Sequence, residues 1–319
     1  MANTAHQKDS SEYIVVGIDG TSSREWMKPD GSNSHTHKFL NDFKGNTTNG
    51  INKQWFNGTS DVVLDRESAT IIQQALNFIT TNLKRKFPEK AINTMRPLEM
   101  FDVNSCKQSE YYNQMQQGQN YTYGTSQLKI PVRVEQAVKH QSLSTKDVKI
   151  ILIGHSRGCM ATTILAKMLS PIVKVYFMGL YDSVDRNLCF DSTVIENVQY
   201  VYHAMRSNEI GSRGSFGHSS TTHSSDVVYV QKSFFTSHGG VGGDFVKDPK
   251  KATTFGDISC IPQPEQITIY SSDGDSRVVS NINPLTKRFN KPIDAICEDG
   301  RTGADAFVRN GARERGLPM

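Results

Sequence analysis

Gly154-His155-Ser156-Arg157-Gly158 is a G-x-S-x-G pentapeptide. A serine placed on a sharp strand-to-helix turn presents its hydroxyl for attack, and the flanking glycines let strand and helix approach closely. The context fits: the apolar run Val148–Ile153 enters the motif, and Cys159–Leu169, rich in good helix formers, leaves it. The bland alternative is a glycine-rich turn with a capping serine. A serine hydroxyl is a poor nucleophile without a base, and the base needs an orienting carboxylate. Where a doubly wound sheet carries this chemistry the chain order is Ser, then Asp or Glu, then His. Asp182 directly follows the run Val175–Tyr181, where a strand should end, and is the first choice for the carboxylate. Asp185 and Asp226 compete with it, and an Asx-type turn is its simplest other use.

Among the later histidines, His155 lies inside the elbow, with its side chain expected to point away from that of the serine. His203 sits in an apolar run and reads as a satisfied core residue. His218 and His223 fall in a Ser/Thr-rich stretch. His238 follows the strand-like segment Val227–Phe235 and precedes Gly239-Gly240-Val241-Gly242-Gly243, so it reads as a base on a loop after a strand. An oxyanion hole needs two backbone N–H groups. Arg157, next after the serine, supplies one; Gly20 or Thr21, in the turn after the first strand, supplies the other, with Asp19 as an anchor of that turn.

The elements that must position these residues read as an α/β pattern. Strands are expected at Tyr13–Ile18, Val148–Ile153, Val173–Leu180, Val198–Met205, Val227–Phe235 and Gln266–Tyr270. Helices are expected at Glu67–Phe87, Val132–Gln141, Cys159–Leu169 and Gly303–Arg315, from apolar residues at helical spacing. Apolar strands alternating with helices imply a mostly parallel, doubly wound sheet covered on both faces. Two polar stretches, about 22–60 and 103–128, read as long loop insertions in a single domain spanning 1–319.

Composition narrows the function classes. The chain has 319 residues, 36 Lys+Arg against 32 Asp+Glu, and a net charge of +4, too weak a bias for a nucleic-acid stripe. Its apolar runs are far short of the roughly 20 residues that span a bilayer. Five cysteines, an odd number with no C-x-x-C spacing, argue against a disulfide framework or a cysteine zinc site. His35-x-His37 lacks a third ligand at metal spacing, so no metal and no cofactor is expected. The N-terminus has no apolar segment of the secretory type, which implies synthesis in the cytoplasm.

Four segments together resemble one family: Asp19-Gly20-Thr21, Gly154–Gly158, Gly179–Val184 and Phe235–Gly243. They are similar to the α/β-hydrolases that include the type VI secretion lipase effectors. The stretch from His203-Ala204-Met205 through Glu209, Arg213 and Phe216 resembles a further family segment. The resemblance runs in order from residue 13 to about 245. It departs at His155, at Tyr181 where a tryptophan is common, and at Gly240 in place of an acidic residue. It implies the α/β-hydrolase fold, with Ser156, Asp182 and His238 as catalytic residues, and metal-free phospholipase or carboxylesterase chemistry on lipid esters. It also implies an immunity protein and a secretion-system component as partners, and delivery to the periplasm of a target cell without a signal peptide. Peripheral membrane contact is a separate reading, of Lys84-Arg85-Lys86 meeting anionic lipid, whose simpler use is to complement a helix C-terminus. A non-catalytic module on the same fold, or an amidase or peptidase using the same triad, are the alternatives.

Overall fold

The computed structural model describes residues 12–21, 34–44, 52–59, 66–90, 92, 141–184, 194–207, 209, 220–244, 266–270, 276–280 and 288–319. Six strands form one sheet: β1 (Glu12–Ile18), β2 (Lys53–Phe56), β3 (Val148–His155), β4 (Val175–Tyr181), β6 (Val198–Arg206) and β8 (Val228–Phe234). Their order is β2-β1-β3-β4-β6-β8, and every pairing is parallel. Two short strands, β5 (Val194–Ile195) and β7 (Thr222–His223), pair separately, and β9 (Gln266–Tyr270) forms an antiparallel hairpin with β10 (Ser276–Ser280).

The inner strands are apolar on both faces because both faces are covered. Ile14, Val16, Ile18, Ile150 and Leu152 point into one core, with Ile72, Leu76, Ile79 and Leu83 of helix α2 (Arg66–Lys86) and Met160, Ile164 and Leu165 of helix α3 (Arg157–Met168). The alternate residues Tyr13, Val15, Ile151 and Ile153 face a second core. Helix α1 (His35–Asp42) brings Phe39 and Leu40 to it, and helix α5 (Ile293–Glu314) brings Ala304, Val308 and Ala312. The edge strand β8 is correspondingly more polar, with Gln231, Lys232 and Ser233 exposed.

The chain steps from β1 to β2 in one direction and then builds β3, β4, β6 and β8 in the other. The order therefore reverses between β1 and β3. In open α/β sheets the crevice at the carboxyl ends beside such a reversal is where ligands bind.

Three sequence expectations need correction. The polar stretch 22–60 is not simply a loop insertion, since it contains α1 and β2. Both are short and polar in sequence. They are held by tertiary contacts: Lys53 Nζ donates to the oxygens of Leu40 and Phe43 at the end of α1, and Ser34 caps its start. Helix α5 begins at Ile293, not Gly303. Gly300 and Gly303 weaken the helical signal there, yet Gly300 lets the helix touch the backbone at Phe235, 2.5 Å from where a Cβ would stand. His238 is the first residue of a short helix, α4 (His238–Gly242), rather than part of a loop. The insertion expected at 103–128 and the helix expected at 132–141, apart from Gln141, lie outside the described residues.

Candidate active site

Every residue at the site sits where a parallel strand ends. Ser156 follows β3 with φ 55° and ψ −123°, a backbone conformation that L-residues seldom adopt. Two glycines allow it. A Cβ on Gly154 would lie 2.7 Å from the backbone of Cys159, and one on Gly158 would lie 2.0 Å from the oxygen of Ile18. The elbow thus needs glycine at both positions because helix α3 starts against β3 and β1. Ser156 is the N-cap of α3, yet its hydroxyl makes no capping bond. It lies 2.8 Å from Nε2 of His238 instead.

His238 reaches the serine from β8 through the Thr236-Ser237 turn. Ser237 Oγ accepts from the N–H of Gly240 and so closes the first turn of α4. The other ring nitrogen of His238, Nδ1, is 2.7 Å from Oδ2 of Asp182. A carboxylate only accepts, so Nδ1 carries the proton and Nε2 is left to accept from the serine hydroxyl. Asp182, after β4, is fully buried. Burial alone would raise its pKa, but bonds and charge from His238 and Arg206 outweigh that and hold it well below the usual carboxylate range.

Beneath Asp182 a neutral chain fixes the turn. Ser183 N donates to Nε2 of His203, so His203 is protonated at Nδ1 and donates to Tyr229 Oη, which donates to the oxygen of Ser220. His203 is thus a hydrogen-bonded core residue. Asp226 is exposed and paired with Lys174 at 2.6 Å, away from the histidine. Asp185 and His218 lie outside the described residues, and His223 is exposed on β7.

The turn after β1 crosses directly over Ser156. A Cβ on Gly20 would stand 2.6 Å from Cβ of Ser156. Asp19 anchors this turn by accepting from Ser34 Oγ, Thr36 Oγ1 and Trp55 Nε1. The strand β2, missed in sequence, has a direct bearing here. Gly58 just beyond it rests on the oxygen of Gly20, and Thr59 Oγ1 donates to Thr21 Oγ1 at 3.4 Å. The Gly20 backbone and the start of α3 at Arg157 therefore both lie beside Ser156.

No family model and no curated protein matches the chain. A solved structure, described as the crystal structure of an uncharacterized protein from Pseudomonas aeruginosa, is similar at 13% identity with a TM-score of 0.42. The similarity covers 97% of this chain and 46% of that one, so the chain spans about half the length of that protein.

Two further histidines brace α4, and sequence reasoning gave neither a part in the site. His155 Nε2 donates to the oxygen of His238 at 3.2 Å, and the two rings lie 5.0 Å apart. His35 Nδ1 donates to the oxygen of Val241 at 2.8 Å. Gly242 is required by this packing, since its Cβ would stand 2.3 Å from the His155 ring. Burial, the larger cause for both, lowers the pKa of His35 to about 4 and that of His155 to about 3.

These shifts set a pH dependence of stability. A histidine buried neutral takes up its proton more readily when unfolded, so stability is full above about pH 6.5 and falls on acidification toward the folded pKa. The slope is about 1.4 kcal/mol per pH unit for each histidine inside its window. Near the lower end Asp19, whose pKa burial raises, works in the opposite sense. The melting temperature is therefore expected to fall steadily between about pH 6.5 and pH 4.5. His35→Gln keeps a donor for Val241 but cannot titrate, and is expected to flatten that slope by roughly half. Calorimetry across this range checks it; an unchanged slope in the variant would contradict the assignment.

Among the described residues no helix is long and apolar enough to cross a membrane, and no group of three His, Cys, Asp or Glu residues could hold a metal ion.

Proposed function

We propose that the protein is a serine hydrolase of α/β-hydrolase type that cleaves carboxylic esters through an acyl-enzyme. The single observation that carries this reading is the continuous bonded chain Ser156 Oγ, His238, Asp182, with 2.8 Å and 2.7 Å contacts. Ser156 attacks the ester carbonyl as Nε2 of His238 takes its proton. Asp182 holds the ring tautomer and stabilises the imidazolium. The developing oxyanion is met by the N–H of Arg157 and that of Gly20 or Thr21. The imidazolium then returns the proton to the leaving alcohol, and water repeats the sequence to release the acid.

The resemblance of the four motif segments supports lipid or phospholipid acyl esters as the substrate class. The test is labelling of the full chain with a fluorophosphonate, followed by peptide mapping, beside a panel of short- and long-chain p-nitrophenyl esters, phospholipid in mixed micelles, and peptides. A single adduct on Ser156 with ester turnover is the expected result. An adduct accompanied by peptide cleavage alone would replace the esterase with a peptidase. A folded chain that takes no label, with or without micelles, would leave a binding module.

A further inference from the structure

The geometry points to Arg206 as a positioning residue that clamps Asp182 and opposes positive charge on His238, extending the working range of the base to lower pH. This rests on the hydrolase reading above. Arg206 closes β6, the strand next to the one that carries Asp182. Its side chain is buried, only 6% exposed, beside a carboxylate that is wholly enclosed. It makes two contacts to that carboxylate. Its backbone N–H donates to Oδ1 at 3.1 Å, and its guanidinium Nη1 donates to Oδ2. Oδ2 is also the oxygen that accepts from His238 Nδ1.

This sharing has consequences for the base. Two donors on one oxygen bring guanidinium and imidazole within about 5 Å of each other. A carboxylate facing only a histidine gives its full charge to stabilising the imidazolium. Here part of that charge is already balanced by a fixed cation, and the cation itself repels a proton arriving at Nε2. Both effects favour the unprotonated ring. The backbone bond to Oδ1 meanwhile fixes the plane of the carboxylate, so the orientation of His238 survives the division of Oδ2.

The other groups facing His238 do not supply this effect. His155 lies tilted against its ring, with centroids 5.0 Å apart, but is buried and neutral. His35 meets only the far end of α4 and is neutral as well. On α5, Arg301 donates to the oxygen of Gly243 and is paired with Glu298. Asp244 closes α4 beside Gly239 and lies in the field of Arg301. Arg206 is the cation bonded to the carboxylate that the base itself uses.

The experiment is a titration of the full chain labelled with 15N-histidine, with the His238 ring nitrogens assigned by loss in His238→Asn. The wild type is compared with Arg206→Gln, with Arg206→Lys, and with Lys174→Gln as a charge loss at the opposite end of β4. Arg206→Gln is expected to raise the His238 midpoint by about one pH unit or more. The acid limb of kcat/KM on a p-nitrophenyl ester should rise with it while KM stays level, because Arg206 touches no substrate. Arg206→Lys keeps the cation and should restore most of the wild-type midpoint; Lys174→Gln should not move it.

A midpoint that stays put in folded Arg206→Gln, or moves equally in Arg206→Lys, overturns the inference. Should Arg206→Gln not fold, the wild type still decides. In wild type labelled with 15N-arginine, distinct, slowly exchanging guanidinium Nη resonances for Arg206 are expected, and a single averaged signal overturns the clamp. The titration needs no turnover. A shifted midpoint in a chain that never labels at Ser156 would remove the hydrolase reading and leave the charge coupling standing, whereas a labelled chain with no shift removes this inference alone.

Discussion

Ser156→Ala and His238→Ala are each expected to lower kcat on a p-nitrophenyl ester by about 10⁶-fold. In the proposed mechanism both remove a member of a unit that works only when complete: without the hydroxyl no acyl-enzyme would form, and without Nε2 the hydroxyl would stay a weak nucleophile. The double variant should be no worse than either single one, because each loss already disables the other group. Asp182→Asn is expected to cost about 10⁴-fold. The amide presents an N–H where Oδ2 now accepts, so His238 must turn its ring or change tautomer, and Nε2 then carries the proton it should receive. This substitution also leaves Arg206 facing a neutral group at 0% exposure of Asp182, so Asp182→Asn should lose stability where Ser156→Ala does not. Single-turnover kinetics beside thermal melts separate the two effects. Equal kcat in Asp182→Asn and wild type would remove the assigned role of the carboxylate.

The order of these three residues is legible because Ser156 and Asp182 follow strands with a strong apolar pattern, while His238 comes a short turn after the more polar strand β8. Val148–His155 and Val175–Tyr181 are buried on both faces, so they read as strands whatever their neighbours do. The residues that surround the three are less legible for a physical reason. Arg206 acts across the sheet on a residue 24 positions away, and nothing in Ala204-Met205-Arg206-Ser207 announces it. His155 and His35 act on backbone oxygens of α4, 83 and 206 positions away, so no local pattern marks them. The strand β2 is four residues long, with Gln54 exposed, and carries no periodicity. Helix α4 is built largely of glycine, a poor helix former. It is helical because Ser237 caps it and because Gly240 and Gly242 pack where a Cβ would collide with Thr236 and His155. Long elements declare themselves through their own burial, whereas short ones are held by partners that only the fold supplies.

That dependence on partners makes two glycines decisive for the site, Gly158 inside the elbow and Gly58 far from it in sequence. A Cβ on Gly158 would stand 2.0 Å from the oxygen of Ile18, and one on Gly58 would stand 1.6 Å from the oxygen of Gly20. Both collisions are with backbone at the end of β1, which cannot swing aside as a side chain can. The two sites differ in what can yield. Gly158 belongs to α3, whose twelve residues are all buried, so Gly158→Ala must pry a core helix from the sheet. Its expected cost is about 4 kcal/mol or more, enough to unfold a marginal domain. Gly58 lies beyond an edge strand, and Gly58→Ala can be accommodated by lifting residues 57–59 together with the Gly20 turn. The fold should survive while the proposed oxyanion donor moves off the serine. Loss of one such donor lowers kcat by roughly 10²- to 10³-fold. Gly239→Ala is the control, since the nearest atoms to its Cβ, on Asp244, are at an ordinary 3.4 Å, and its melting temperature should match the wild type. Melting temperature and kcat measured together check the pattern: Gly158→Ala fails in both, and Gly58→Ala in kcat far more than in stability. A Gly58→Ala variant with full activity would show that the turn after β1 does not hold the oxyanion.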